Sequence, residues 1–498
     1  MKEKYQNITI VFLFVLVLAL FFPIYLVEKQ LGTKLPEIFV EQPFVGADIV
    51  IDVDRPLGEI TELWRALAQG GEEPGVRMLE PTVRFTSRLK TKYIRLDHIF
   101  DDAFYQVVRG RNGDGTLQLD WSKLDLTVDD ILNSGAKPFF SLSYMPGIVS
   151  SSLIGKPNDW GDWQTLVREL IRHYSAKIDG VYYEVWNEPS LSLFGDWKMY
   201  GDKDYRLLYY YSVLGGSQAK GVKPFKIGGP AIPELDPRWI SLLFDYVLER
   251  NLRLDFISWH RYNFDPERFL KDVEEIDIIT ADPKYSQFKN IEKIITEWGP
   301  NSYKDKVYSS SVAASHAVTT LRYLLDKVSL AFAFEIKDGP SQELSGWGIL
   351  THEKEPTGVK EKPRFLLYDW LADVKGTRLS LEGEGSQIRG FAVKEDRTIT
   401  VILGNYTAFG SNPESFSLTL KGLPPGKYRL FRQVLFQRQN EQELDVTHDA
   451  VALTLNLPAY SVVRIRLTLI EPFPQEVVQE EPSVQEEEPQ GFQKIMEE

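Results

Sequence analysis

Trp186-Asn187-Glu188-Pro189 closes one apolar run and Ile294-Ile295-Thr296-Glu297-Trp298-Gly299 closes another, so each string sets a Glu at the C-terminal tip of an expected buried strand. Two carboxylates in different protonation states are what cleavage of a glycosidic bond requires. One protonates the leaving oxygen and the other attacks the sugar carbon. Taken singly, a Glu at a strand end is ordinarily a solvated loop residue or half of an ion pair. The separation, 297 − 188 = 109 residues, leaves room for two barrel strands between them.

The elements that must hold such a pair follow from hydrophobic periodicity. From about residue 46, apolar runs of strand length alternate with amphipathic helices, the pattern of βα units around a parallel sheet. Trp163, Leu166, Val167, Leu170, Ile171 and Tyr174 fall on one helical face, Asp179-Gly180 breaks the helix, and Val181 to Trp186 enters as a strand. Strands are expected at Asp48 to Val53, Tyr93 to Leu96, Phe139 to Ser143, Val181 to Trp186, Phe225 to Gly229, Phe256 to Trp259, Ile294 to Thr296 and Leu330 to Phe334. Eight βα units over residues 46–375 predict a closed (β/α)8 TIM barrel, with a doubly wound open sheet as its structural competitor. Arg95, His98, Asn187, Glu188, His260, Tyr262, Glu297, Trp298 and Glu335 all lie at or near strand tips, where a barrel gathers its active groups.

Beyond residue 376 the pattern changes to short alternating runs with turn residues, which predicts an antiparallel β-sandwich over 376–470. Residues 471–498 are rich in Glu, Gln and Pro and read as a disordered acidic tail. At the other end, Lys2 and Lys4 precede the uncharged stretch Ile8 to Val27, long enough to cross a hydrocarbon core. With Glu28-Lys29-Gln30 following and no small-residue cleavage site, residues 8–27 are expected to be a transmembrane signal anchor. It would leave residues 1–7 in the cytoplasm and the body outside, secretion being the alternative. Residues 28–45 form a linker in which Ile38-Phe39-Val40 could add a strand to the sandwich.

Composition removes other classes. The net charge is −14, which makes nucleic acid an unsuitable partner, since phosphate recognition needs a basic face. There is no Cys for a disulfide, a thiol nucleophile or a thiolate site, and the six His show no metal spacing such as HExxH. No metal or other cofactor is expected. Oligomeric state is not legible.

Several strings, in order along residues 46 to 470, resemble glycoside hydrolase family 39. They are Tyr93-Ile94-Arg95-Leu96-Asp97-His98-Ile99-Phe100, the run Pro138 to Pro146, Tyr183 to Pro189, Lys226 to Ala231, Asp255 to Tyr262, Thr296-Glu297-Trp298 and Gly346 to Thr351. The resemblance implies a retaining O-glycosidase with acid/base and nucleophile on the fourth and seventh strands of a barrel that carries a β-sandwich. Known members include β-xylosidases, α-L-iduronidases and exopolysaccharide hydrolases, so an oligo- or polysaccharide of the cell envelope or exterior is the expected substrate. Asp97 and the Lys198 to Tyr211 segment differ from the xylosidase pattern.

On this reading Glu188 is the general acid, which must hold a proton near neutrality, and Glu297 the nucleophile, which must ionise. Hydrogen bonds from Tyr262 and Arg95 are expected to keep the Glu297 pKa low. Asn187 would bond the sugar 2-hydroxyl, His98 and His260 are candidate hydroxyl ligands, and Trp298 and Trp347 candidate stacking platforms. Arg95 can equally serve only to neutralise buried carboxylates, and the His and Trp residues can be ordinary core or rim. Glu335 and Asp338 rank lower, with Lys337 as a possible ion-pair partner. The competing function class is a non-catalytic carbohydrate-binding protein on the same barrel.

Overall fold

The computed structural model describes residues 44–71, 73–303, 305–340 and 346–474. Eight parallel strands close into a barrel: β1 Ala66–Gln69, β2 Tyr93–Leu96, β3 Lys137–Ser141, β4 Val181–Glu184, β5 Phe225–Ile232, β6 Phe256–Tyr262, β7 Glu292–Gly299 and β8 Leu330–Phe334. β8 pairs back onto β1 through Ala333 opposite Leu67, which rules out the open sheet. A helix follows every strand. In the one between β3 and β4, Trp160–Ser175, the buried face is Trp163, Leu166, Val167, Leu170, Ile171, Tyr174 and Ser175, and Asp159 caps its start by accepting from the Gly161 N–H.

Side chains alternate across each strand, so the barrel has two cores. Ala66, Ala68, Phe139, Tyr182, Phe256, Ile294, Phe332 and Phe334 fill its interior. Their neighbours Leu67, Phe140, Tyr183, Ile257 and Ile295 pack outward under the helices. Small Ala66 and Ala68 make room for the interior aromatics.

The first expected barrel strand is placed elsewhere. Asp48–Glu59 pairs antiparallel with Thr377–Glu382 and parallel with Glu414–Lys421, inside a nine-stranded sheet made otherwise of C-terminal strands. Its pattern explains this: Ile49, Ile51 and Val53 alternate with Asp48, Asp52 and Asp54, which suits a sheet with one wet face and not a barrel strand buried on both. The true β1 was concealed by its length of four residues and by two Ala, poor strand formers. The β-rich domain includes Thr377–Glu382 and the edge strand Asn440–Val446, and its last strand runs to Pro472, into the segment expected to be tail. Ile49, Ile399, Phe416, Leu418, Ile465 and their neighbours form this domain's own core. Its other face meets the barrel, where Trp64 stacks on Phe391 with ring centroids 6.0 Å apart.

Residues 1–43 and 475–498 lie outside the described residues, and with them the signal anchor at 8–27, the strand at Ile38-Phe39-Val40 and nearly all of the acidic tail. No helix among the described residues is long and apolar enough to cross a membrane.

Candidate active site

Arg95 organises the barrel mouth. As the third residue of β2 it points inward, wholly buried, and its guanidinium donates in three directions: Nε to Glu184 Oε2, Nη1 to Glu297 Oε1 and Nη2 to Asn187 Oδ1, each at 2.8 Å. A planar fork with donors on three nitrogens can hold three acceptors at once, which an ammonium cannot do with the same rigidity. Asn187 Nδ2 donates in turn to the Tyr144 hydroxyl at 2.9 Å.

Two backbone devices aim the acids. In β7, Ile295 stands opposite Trp259 while Glu297 stands opposite His260, so Thr296 is an extra residue in the ladder. Without that bulge the alternation from inward Ile294 and outward Ile295 would turn Glu297 toward the helices; with it, Glu297 enters the barrel and Trp298 turns out. Past β4, Trp186 and Glu188 adopt positive φ of 74° and 43°, a conformation that L residues hold only when the surroundings enforce it. Enforcement comes from the Glu188 N–H, which donates to Ala231 O at 2.9 Å, and from Tyr205, whose hydroxyl donates to Val185 O at 2.8 Å. A Cβ at Gly229 would meet that hydroxyl at 2.6 Å, so the position is closed to side chains.

The result is a compact triad. His260 Nδ1 lies 2.9 Å from Glu188 Oε1 and 3.5 Å from Glu297 Oε2, and a carboxylate oxygen from each acid and the ring nitrogen all fall within 4.8 Å of one another. Tyr262 donates to Glu297 Oε2 at 2.8 Å, so both Glu297 oxygens accept a hydrogen bond. Burial pushes the Glu297 carboxyl up to about 7 against the pull of the His260 and Arg95 charges, and the Glu188 and Asp97 charges add to the rise. This corrects the expectation of a low value: the donors are in place, but removal from water outweighs them. Burial opposes the charge on His260 as well, yet Glu297 and Glu188 raise its pKa above the ordinary imidazole value. The protonation of Glu297 and that of His260 are therefore linked. Burial and the Glu297 charge hold the Tyr262 phenol well above its usual range, so it stays a donor.

A family model for glycosyl hydrolases family 39 matches residues 47–387. The chain belongs to that family. It is 25% identical over 455 residues to a beta-xylosidase of Caldicellulosiruptor saccharolyticus, across 83% of this chain and 88% of that one. In fold it is similar to the monomeric beta-xylosidase from Caulobacter crescentus CB15, with a TM-score of 0.70 at 22% identity over 85% of this chain and 100% of that one. The GH39 enzyme from Xanthomonas axonopodis pv. citri gives 0.70 at 19% identity over 88% and 100%. A family 39 member is a glycoside hydrolase, so the non-catalytic alternative gives way to an enzyme.

The other residues picked from the sequence are distributed unevenly in this family 39 hydrolase. His98 sits at the mouth, its Nδ1 2.9 Å from Asp101 Oδ2 and its ring edge-on to Tyr144 at 4.7 Å. Trp347 lies half-buried over the barrel interior, edge-on to Phe334 at 5.6 Å. Trp298 is no platform at all: it is wholly buried on the helix side, with Arg364 over its ring at 4.2 Å and Phe269 edge-on at 6.0 Å. The bulge that aims Glu297 inward is the reason. His260, wholly buried, bridges the two acids through Nδ1. Glu335 is also wholly buried and accepts from Gln69 Nε2 at 2.8 Å, while Asp338 is paired with Lys362 and Lys337 with Glu353.

Sequence reasoning passed over Glu184 and Tyr144. A Glu inside the apolar run Val181 to Trp186 was the available sign, because a charge buried in a strand needs a partner, and Arg95 is that partner. Among the described residues, two groups offer ligand atoms close enough together for a cation: the acid triad and Glu73 with His352 and Glu353. In the second, Lys354 already neutralises Glu73 and Lys337 neutralises Glu353.

Proposed function

We propose that this hydrolase works by double displacement with retention of configuration, Glu297 attacking the anomeric carbon and Glu188 acting first as acid and then as base. The observation that carries the reading is the separation of the pair: oxygens of the two carboxylates within 4.8 Å. Retaining enzymes hold their carboxyls roughly 5 to 5.5 Å apart, whereas inversion needs roughly 6.5 to 9.5 Å to admit a water. Hydrogen bonding assigns the roles within the pair. Glu297 accepts at both oxygens, from Arg95 and Tyr262, which hold its charge once it ionises above its raised pKa of about 7, while among the described residues Glu188 has His260 as its one side-chain partner.

In the first step Glu188 gives its proton to the leaving oxygen as Glu297 forms the glycosyl bond. In the second Glu188 takes a proton from the water that displaces Glu297. Asn187 Nδ2 uses one hydrogen on Tyr144 and keeps one for the sugar 2-hydroxyl. Trp347 offers an aromatic face at the rim and His98 a hydroxyl ligand.

A neutral, xylose-like glycone is the substrate best supported. The curated relatives are beta-xylosidases. In the mouth, Arg95 is committed to three partners and Asp97, Glu184, Glu188, Glu297 and Glu335 are acids, a setting that repels a sugar carboxylate. The uncharged stretch Ile8 to Val27 supports tethering of the body outside the membrane, toward envelope or extracellular saccharide. Hydrolysis of an aryl β-xyloside followed by proton NMR tests the mechanism: the β-anomer of xylose should form first, and initial α-xylose would refute retention.

A further inference from the structure

A second groove lies at the far end of the barrel from the acid pair. It has a volume of about 500 Å³, and its charged lining is Arg397, Arg464 and Arg466 together with Asp373, Glu395 and Asp396, beside Trp370, Thr398 and Thr400. Its position follows from two contacts: Arg65, immediately before β1, donates to Ala372 O at 3.2 Å, and Lys90, in the approach to β2, pairs with Asp373. Both mark the N-terminal ends of the barrel strands, opposite the tips that carry Glu188 and Glu297.

The arginines here are arranged unlike those elsewhere on a chain of net charge −14. Arg464 and Arg466 are two apart in the strand Val462–Pro472, hence on one face, opposite Ile402 and Thr400 of the neighbouring strand. Adjacent like charges on a sheet face destabilise it unless something offsets them. Asp369 and Asp373 act on Arg464 only from beyond ion-pair distance. Among the described residues neither Arg397, Arg464 nor Arg466 has an ion pair; Arg464 Nη2 reaches only Gln433 at 3.2 Å and its buried Nε has no partner. Of the three acids in the lining, Asp373 is committed to Lys90 and Glu395 to Lys375, and Asp396 makes no ion pair with any of the three arginines among the described residues. Burial and the Arg466 charge press the Arg464 pKa down to about 10. Aromatic rings hold the guanidiniums in place, Arg464 over Trp370 at 4.7 Å and over Phe431 at 5.3 Å, and Arg466 over Phe431 at 4.6 Å.

We propose that this groove is an ancillary binding site for a carboxylate-bearing saccharide, such as a uronic acid residue of an acidic polysaccharide, which the hydrolase grips without cleaving. Guanidiniums bind carboxylate with paired hydrogen bonds, the Thr398 and Thr400 hydroxyls match sugar hydroxyls, and half-buried Trp370 supplies an apolar wall. The volume falls in the range of small-molecule sites. Such a site would dock the enzyme on acidic polymer while the acid-lined mouth at the other end takes neutral sugar.

The test is calorimetric titration of the full chain with an oligomer of galacturonic acid, a neutral xylo-oligosaccharide and inorganic phosphate. The uronate oligomer is expected to bind, with affinity that falls as salt is added, and to lose at least about tenfold in Arg464→Gln/Arg466→Gln, a change of ~1.4 kcal/mol that one charge-assisted hydrogen bond can supply. The single variant Arg466→Gln, at an exposed position where folding is not at risk, should also weaken it. Hydrolysis of a neutral aryl glycoside should be unchanged in both variants and uninhibited by the uronate oligomer. Binding that survives both substitutions, inhibition of hydrolysis by the oligomer, or phosphate binding as tight as the saccharide would each overturn the proposal.

Discussion

Replacing Glu297 by Gln keeps the shape of the side chain and removes its charge, and the consequence for stability depends on pH in a way the structure dictates. The buried carboxyl titrates at about 7 against an ordinary 4.5. Between those values the unfolded chain has released the proton and the folded protein still holds it, so stability falls as pH rises through the window. The shift, 7 − 4.5 = 2.5 units, corresponds to about 3 kcal/mol, absent below pH 4 and fully expressed by pH 8. The raised His260 pKa works with the same sign, since its stabilisation is present at low pH and lost as pH rises through the folded value. Urea unfolding of wild type and Glu297→Gln at pH 4 and pH 8 should show the variant gaining about 3 kcal/mol relative to wild type between the two. A difference that does not change with pH would mean that Arg95 and Tyr262 cancel the effect of burial, and one that grows toward acid that they outweigh it and hold the carboxyl low.

Other outcomes follow from the same contacts. Arg95→Met leaves Glu184 and Glu297 buried without their cation, so denaturant unfolding at pH 7 should show a loss of roughly 3 to 5 kcal/mol, together with loss of hydrolysis. Trp298→Ala should cost roughly 3 to 5 kcal/mol of stability with little change in KM for an aryl glycoside, because the ring packs under the helices. Trp347→Ala should do the reverse, raising KM while costing clearly less unfolding free energy than Trp298→Ala, because its ring is only half-buried. A Trp347 variant with unaltered KM would remove it from the sugar site.

Much of the mouth was legible because a parallel barrel constrains it: strand tips converge, so Arg95, Asn187, Glu188, His260, Tyr262 and Glu297 could be gathered from their places after apolar runs. Which way each points was harder. Position at a strand tip put Glu297 and Trp298 in one mouth, whereas strict alternation would have turned Glu297 outward, and only the Thr296 bulge, a property of pairing with β6, sends Glu297 in and Trp298 out. The strand Asp48–Glu59 was miscounted for a related reason, since its partners stand over 300 residues away and its alternation belongs to a sheet with one wet face. Glu184 was hidden inside an apolar run, and its meaning emerges only with Arg95 beside it. The carboxyl pKa of Glu297 was misjudged because donors can be read from residue types, whereas depth of burial cannot.

The claim on which the rest depends is that Glu297 bonds to the sugar. Incubation with a 2-deoxy-2-fluoro-xylosyl fluoride, which slows release of the glycosyl enzyme, followed by proteolysis and mass spectrometry, reads this directly. The mass of one fluorosugar should appear on the peptide containing Glu297 and on no other. A label on the peptide of Glu188, or inactivation without any covalent adduct, would contradict it.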